Sequence, residues 1–260
     1  MKRILFFIAA LLICHVSAFA EFAEFEVDGI HYVLRSLTGK EGAWVTSTSG
    51  WAFHDGDENT YTGDITIPYQ VTYNDVVYPV IGLHDKAFKS CTSIHSLTLS
   101  EGVEYIFPGA FNDTQIEEIY LPSTFKMFPG WFVNEINGYD IFQGCLGLER
   151  IVVAGENPVW DSRDNCNALI ETATNTLWEG CDKTTIPSSV KAIGPEAFRG
   201  RQIQELTIPD GVETIFGDAF EGCSQLTSIT FPESVKKYVD TLFSSGVQGS
   251  VQLPFPKMSK

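Results

Sequence analysis

Residues 193–209 read Ile193-Gly-Pro-Glu-Ala197-Phe198-Arg-Gly-Arg-Gln-Ile203-Gln-Glu-Leu206-Thr-Ile208-Pro209. The same frame recurs along the chain. Ala-Phe pairs stand at 87–88, 110–111, 197–198 and 219–220, with Ile141-Phe142 and Leu242-Phe243 as variants. The steps from 87 to 110, 197 to 219 and 219 to 242 are 23, 22 and 23 residues. Four residues ahead of the Ala position stand Ile106, Ile193, Ile215 and Tyr238; three after the Phe stand Cys91, Cys145 and Cys223. An apolar-x-x-apolar-x-apolar run follows: Ile94-Leu97-Leu99, Ile116-Ile119-Leu121, Leu148-Ile151-Val153, Ile203-Leu206-Ile208 and Leu226-Ile229-Phe231. Pro122, Pro209 and Pro232 close three of these runs, and Val103, Phe125, Val212 and Val235 mark the next apolar position. A period of this length, held at many positions, is the signature of stacked repeats.

Each unit is too short to bury its own apolar residues. Leu97-Thr98-Leu99 alternates and suits a short strand. Stacked units would pair such strands at about 4.8 Å and bury a continuous core, with the recurrent Phe forming a column. The pattern Ile-x-x-x-Ala-Phe-x-x-Cys-x-x-Leu-x-x-Ile-x-Leu-Pro resembles the leucine-rich repeats of BspA-like bacterial surface proteins. The stretch from Asn157 to Val190 resembles a recurrent linking segment of the same family, and the resemblance covers about residues 61–253. It implies a right-handed leucine-rich repeat solenoid, α/β by class but strand-dominated with short helical turns. It also implies an exported or surface protein acting as an adhesin-like interaction module, with no catalytic site shared by the family.

Two stretches depart from the frame. The step from Phe128 to Ile141 is 13 residues where four are expected, so nine residues, with Trp131, Phe132 and Tyr139 nearby, must loop out. Residues 154–186 form a distorted linking segment in which Trp178-Glu-Gly-Cys181 keeps the Phe-x-x-Cys spacing with Trp for Phe. The expected organisation is a signal peptide over 1–20, an N-terminal β cap with a partial repeat over 21–80, a solenoid over 81–253 and a tail over 254–260. The signal reading rests on Lys2-Arg3, the apolar run Ile4 to Ile13 and the small-x-small end Ala18-Phe19-Ala20. In the cap, Asp28-Gly29 between Phe25 and Tyr32 predicts a hairpin, and Thr72 to Tyr78 a second one. Tyr61 to Pro68 reads as a degenerate repeat. Residues 38–60 read as loop, with Trp44, Trp51 and Phe53 docking either on the solenoid end or on a partner.

The chain has 260 residues, 44% of them apolar and 19% charged, which suits a folded protein rather than a disordered one. The net charge of −16 deepens to −18 once the two positive charges of Lys2 and Arg3 leave with residues 1–20. Such acidity argues against nucleic acid and against anionic membrane surfaces, both of which demand clustered Lys and Arg. No mature stretch is long and apolar enough to span a bilayer, so no membrane insertion is expected after signal cleavage.

Five cysteines follow residue 20, namely Cys91, Cys145, Cys166, Cys181 and Cys223. Four occupy the inward position after Phe or Trp and read as small buried hydrophobes. Disulfides between Cys145 and Cys181, or between Cys166 and Cys181, are the alternatives for an exported protein. No CxxC pair points to zinc. Asp55-Gly-Asp57-Glu-Asn59 alternates oxygen ligands as calcium loops do, but Thr60 and Thr66 replace the expected Gly and Glu, which favours a solvated acidic turn. Asn112-Asp113-Thr114 matches a glycosylation acceptor pattern. Asp161-Ser162-Arg163-Asp164 is the densest polar group but lacks a base at fixed spacing. No cofactor motif is present, and the chain is not expected to be an enzyme.

In the strand pattern the x residues point away from the core. They would stack into a Thr98, Tyr120, Val152, Thr207, Thr230 column beside Ser96, Glu118, Arg150, Glu205 and Ser228. The expected ligand-binding residues are Thr98, Glu118, Tyr120, Val152, Glu205, Thr207 and Thr230, facing a protein or glycoprotein such as a host extracellular-matrix component. Binding of a sibling protein within the bacterial envelope is the alternative. The location expected is secreted, periplasmic or cell-surface.

Overall fold

The structure is a computed structural model that describes residues 23–37, 39–50, 59–107, 109–126, 141, 142, 144, 145 and 147–238. The signal segment, the loop with Trp131 and Tyr139, Trp51, Phe53, the acidic turn Asp55–Glu58 and the C-terminal repeat lie outside these residues.

The N-terminal part is a curled sheet. Strands β1 (Glu24–Val27) and β2 (Ile30–Leu37) form the expected hairpin. Its turn residues Asp28 and Gly29 have φ of 51° and 79°, the doubly positive geometry that matches the twist of the flanking strands. β3 (Lys40–Val45) pairs antiparallel with β2. It is followed by β4 (Thr62–Ile67), β5 (Gln70–Tyr73) and β6 (Val76–Leu83). β5 and β6 make the second hairpin through Asn74 and Asp75, both at positive φ. The order is β1-β2-β3-β6-β5, and the outer strands approach each other through Phe25 stacked on Tyr73 at 4.3 Å.

β3 corrects the expectation of a loop over 38–60. Ala43, Trp44 and Val45 are all buried, so no polar alternation marks the strand. Trp44 is covered by Tyr105 at 6.2 Å and Phe107 at 5.4 Å, which docks this residue on the solenoid end. β8 (Tyr105–Ile106), which follows β7 (Ser93–Leu99), joins β6 in parallel. A Cβ on Gly82 would collide with the Tyr105 carbonyl, so only glycine permits this approach.

The repeats stack as the period requires. β4, β7, β9 (Glu118–Leu121) and β10 (Arg150–Val153) form a parallel sheet in the order β10-β9-β7-β4. Ile65, Leu97, Ile119 and Ile151 share one register line. Phe111 stacks between Phe88 at 5.8 Å and Phe142 at 5.6 Å, all three buried. The corners that carry Ala-Phe are hydrogen-bonded turns, not the helical turns expected. Among the described residues the one short helix is a 3-10 turn at Arg163–Asn165. Corner amides bond to the next coil instead of continuing a helix: Phe88 N donates to Ala110 O at 2.8 Å, and Phe198 N to Ala219 O at 2.8 Å.

The linking segment interrupts this ladder. β11 (Trp160–Asp161), β12 (Ala168–Glu171) and β13 (Thr176–Gly180) pair antiparallel. β13 then continues in parallel with β14 (Ala192–Ile193), β16 (Thr214–Ile215) and β18 (Lys237–Tyr238). β15 (Glu205–Thr207) and β17 (Ser228–Thr230) form a separate two-stranded ladder. The core divides accordingly, one part around Phe88, Phe111 and Phe142 and the other around Phe198 and Phe220.

Candidate functional site

On the outward side of the four-stranded sheet, two files of side chains run across the strands. Asp64, Ser96, Glu118 and Arg150 form one, and Thr66, Thr98, Tyr120 and Val152 the other. Hydrogen bonds tie the first file together. Ser96 Oγ donates to Asp64 Oδ1 at 2.8 Å, and Tyr120 Oη donates to Glu118 Oε2 at 2.6 Å. Arg150 Nη1 lies 3.8 Å from the same Glu118 oxygen, and its guanidinium sits 5.7 Å from the Tyr120 ring centroid. The hydroxyl donated to Glu118 pushes the Tyr120 pKa upward, so the phenol stays a donor. The patch thus offers an aromatic ring, a cation, two carboxylates and a row of hydroxyls on a rigid sheet.

The structure brings Thr98, Glu118, Tyr120 and Val152 together. It does not bring Glu205, Thr207 and Thr230 into the same file. Glu205 faces Ser228, and Thr207 faces Thr230, on the separate β15–β17 ladder. The single five-membered column expected from the sequence is therefore two patches, because residues 154–186 fill the place of the intervening strand with an antiparallel unit.

The polar residues of the linking segment are committed to holding it. Arg163 donates from Nε to Asp161 Oδ1 at 2.8 Å and from Nη1 to Asn175 Oδ1 at 2.7 Å, and Ser162 Oγ accepts from Val153 N at 3.0 Å. Buried Asn157 donates to the carbonyls of Pro122 at 3.1 Å and Phe125 at 3.0 Å. Among the described residues no cluster of three or more His, Cys, Asp or Glu is placed to hold a metal. Asn59, the one described member of the acidic turn, donates to Ala87 O at 3.0 Å and accepts from Thr48 N at 3.2 Å. In the acceptor pattern, Asn112 is half-buried and Thr114 is fully buried, with Oγ1 3.1 Å from Cys145 Sγ.

All five described cysteines are free and buried, which settles against both disulfide alternatives. Each thiol meets a main-chain carbonyl instead, as Cys223 Sγ does with Phe198 O at 2.9 Å and Cys181 Sγ with Asn167 O at 3.2 Å. Burial raises the thiols of Cys91 and Cys223 to about 12 and that of Cys166 to about 11.

One feature escaped the repeat pattern altogether. A cleft of about 820 Å³ opens between the β1–β2 hairpin, β4 and β5. Its walls include Glu26, Asp28 and His31 from the β1–β2 hairpin and Asp64 from β4, which meet only in the folded chain.

Parallel strands contributed one per repeat, with a phenylalanine column beneath them, define the class of leucine-rich repeat proteins. Within that class, residues 79–149 and 173–255 match the BspA type leucine rich repeat region in six copies, and the chain belongs to this family. It is similar to the solved structure of a leucine-rich repeat protein from Bacteroides ovatus, at 25% identity and a TM-score of 0.46 over 88% of this chain. It spans 47% of that protein's length. A leucine-rich repeat protein from Eubacterium ventriosum matches at 16% identity and a TM-score of 0.40, over 88% of this chain and 73% of the other. A leucine rich cell surface protein from Faecalibacterium prausnitzii matches at 16% identity and a TM-score of 0.28, over 86% of this chain and 95% of the other. No curated protein is similar enough to count as a match. The matching family indicates no enzyme. No described helix is long and apolar enough to cross a membrane.

Proposed function

We propose that this chain is a secreted or cell-surface leucine-rich repeat binding protein, an adhesin-like protein–protein interaction module without catalysis. The reading takes residues 81–253 as a right-handed solenoid behind a signal peptide and an N-terminal β cap over 21–80. The observation that carries it is the in-register face of β7, β9 and β10, where Thr98, Glu118, Tyr120, Val152 and Arg150 stand side by side. A rigid array of alternating side chains costs little ordering entropy on binding, and repeat faces of this kind are natural protein-docking surfaces. Tyr and Arg are the residue types that most often anchor such contacts. A protein or glycoprotein partner, with host extracellular matrix foremost, fits this mixture of aromatic, hydroxyl and charged groups. Glu205, Thr207 and Thr230 form a second, smaller patch on the same reading.

The test is a binding screen of purified residues 21–260 against matrix proteins and glycans, with Tyr120→Asp and Thr207→Asp assayed separately. Saturable binding that Tyr120→Asp abolishes supports the reading and places the ligand on the first patch. A panel with no saturable binder, together with an envelope protein recovered by crosslinking in cells, overturns it in favour of an envelope component.

A further inference from the structure

The cleft at the N-terminal end has features that the strand face lacks. β4 is the terminal strand of its sheet, and no described strand pairs with its outer edge. A bulge at Gly63/Asp64 interrupts the start of β4, and beyond it Asp64–Ile67 keep an unbroken register with β7, with no described strand on their other side. An open edge presents unpaired main-chain donors and acceptors, a template for another strand. The position of the cleft is fixed, because Tyr61 accepts from His31 N at 2.9 Å and donates to Thr46 O at 2.8 Å. The charge around it is one-sided. Among the described residues Glu26, Asp28 and Asp64 line it, neither Lys nor Arg does, and the one base, His31, lies 3.5 Å from Glu26. The wall also carries Tyr32, which is 1% exposed and whose buried hydroxyl has no hydrogen-bond partner. An unsatisfied buried hydroxyl is costly unless something else meets it.

We propose that this cleft is a second docking site, at the N-terminal end of the strand face and sharing Asp64 with it, that takes an extended cationic segment of a partner protein as an added strand along β4. Main-chain hydrogen bonds to Asp64–Ile67 would supply the affinity. Alternate Lys or Arg side chains of the segment would reach Asp64 and Glu26, because successive side chains of a strand point to opposite faces. The acidic walls repel phosphate and anionic lipid, and they repel further copies of a chain whose own net charge is −16.

The probe is a synthetic octapeptide alternating Lys with Thr or Val, compared with its Glu-for-Lys counterpart and with a version N-methylated at alternate amides. Binding to residues 21–260 is read by fluorescence anisotropy, and amide hydrogen exchange is read in parallel. The lysine peptide is expected to bind saturably below about 1 mM, and both altered peptides to bind at least about tenfold more weakly. The paired reversal Glu26→Lys, Asp64→Lys should weaken binding about tenfold, whereas Tyr120→Asp leaves it unchanged. Bound peptide should slow exchange at the outward amides of Asp64–Ile67 and not in β9. Equal binding of the N-methylated peptide, or unchanged exchange in β4, overturns the added strand. Failure of the lysine peptide to bind overturns the site. Neither result bears on the strand-face reading, which Tyr120→Asp tests independently.

Discussion

Arg201 Nη1 donates to the main-chain carbonyl of Cys145 at 2.7 Å, across 56 residues of chain, and Nη2 reaches Phe142 O at 3.4 Å. Arg201 stands three residues after Phe198, the position that holds cysteine in the repeats of Phe88, Phe142 and Phe220. In the latter two the thiol meets the phenylalanine carbonyl of a preceding repeat, Cys145 with Phe111 O at 3.6 Å and Cys223 with Phe198 O at 2.9 Å. The linking segment separates Phe198 from Phe142, and a thiol cannot span that gap. The longer guanidinium performs the same role across it.

A consequence is that restoring the repeat pattern here should harm the protein. Arg201→Cys is expected to lose about 2 kcal/mol in urea unfolding, because it removes the charged donor to Cys145 O, while Phe142 O keeps its bond from Cys145 N at 3.0 Å. Consensus substitutions usually stabilise, so the sign of this change is the test. A Cys variant as stable as the parent would show that Arg201 does not bridge the two halves of the core.

The phenylalanine column makes a prediction about size. Phe111 is packed between Phe88 and Phe142, and Phe220 stacks on Phe198 at 5.6 Å, all of them buried. Phe111→Ala and Phe220→Ala should each cost about 3–5 kcal/mol, because each leaves a cavity in a packed core. Chemical denaturation of the two variants checks the size, and a loss under about 1 kcal/mol at either position would contradict the packing.

Legibility followed locality. Asp28-Gly29 announced its hairpin, and the recurrent Phe88, Phe111, Phe142, Phe198 and Phe220 announced the column, because each signal repeats or sits within a few residues. β3 was illegible because Ala43, Trp44 and Val45 are all buried and so show no alternation. The face was legible residue by residue, yet Thr207 was placed beside Val152. Counting repeats treats every coil as equivalent and cannot see that β11, β12 and β13 pair antiparallel before the parallel ladder resumes with β14. Arg201 carried no signal in the repeat pattern, and the gap it spans explains its burial. The cleft depends on Asp64 of β4 meeting the β1–β2 hairpin through tertiary packing, which no local pattern encodes.

Thiol chemistry offers a pH test. Burial raises Cys91 and Cys223 to about 12 in the folded chain, above the ordinary thiol value of about 8.5. A raised folded pKa contributes stability that is complete below the unfolded value and is lost as pH climbs towards the folded one. Stability should therefore hold up to about pH 8 and fall progressively between about pH 9 and 12. Below that range the native thiols should resist alkylation, and all five should react once urea unfolds the chain. Rapid native labelling at pH 8 would contradict the burial.

Glu104 makes the opposite prediction at acid pH. Its carboxylate is nearly buried and is held by Lys40 and by Lys126 Nζ at 2.9 Å. Burial alone would raise its pKa, but the two ammonium groups outweigh that effect and set it below the usual carboxylate value. A lowered folded pKa contributes stability that is present above the unfolded value, about 4.3, and disappears as pH falls through the folded one. Both lysines are about half exposed, so solvent screens the pair and the gain is modest, roughly 1 kcal/mol. Glu104→Gln should therefore be less stable than the parent at pH 7 and indistinguishable from it near pH 3, with the gap narrowing in high salt. A gap that persists unchanged at pH 3 would mean that Glu104 acts through packing against β8 rather than through its charge.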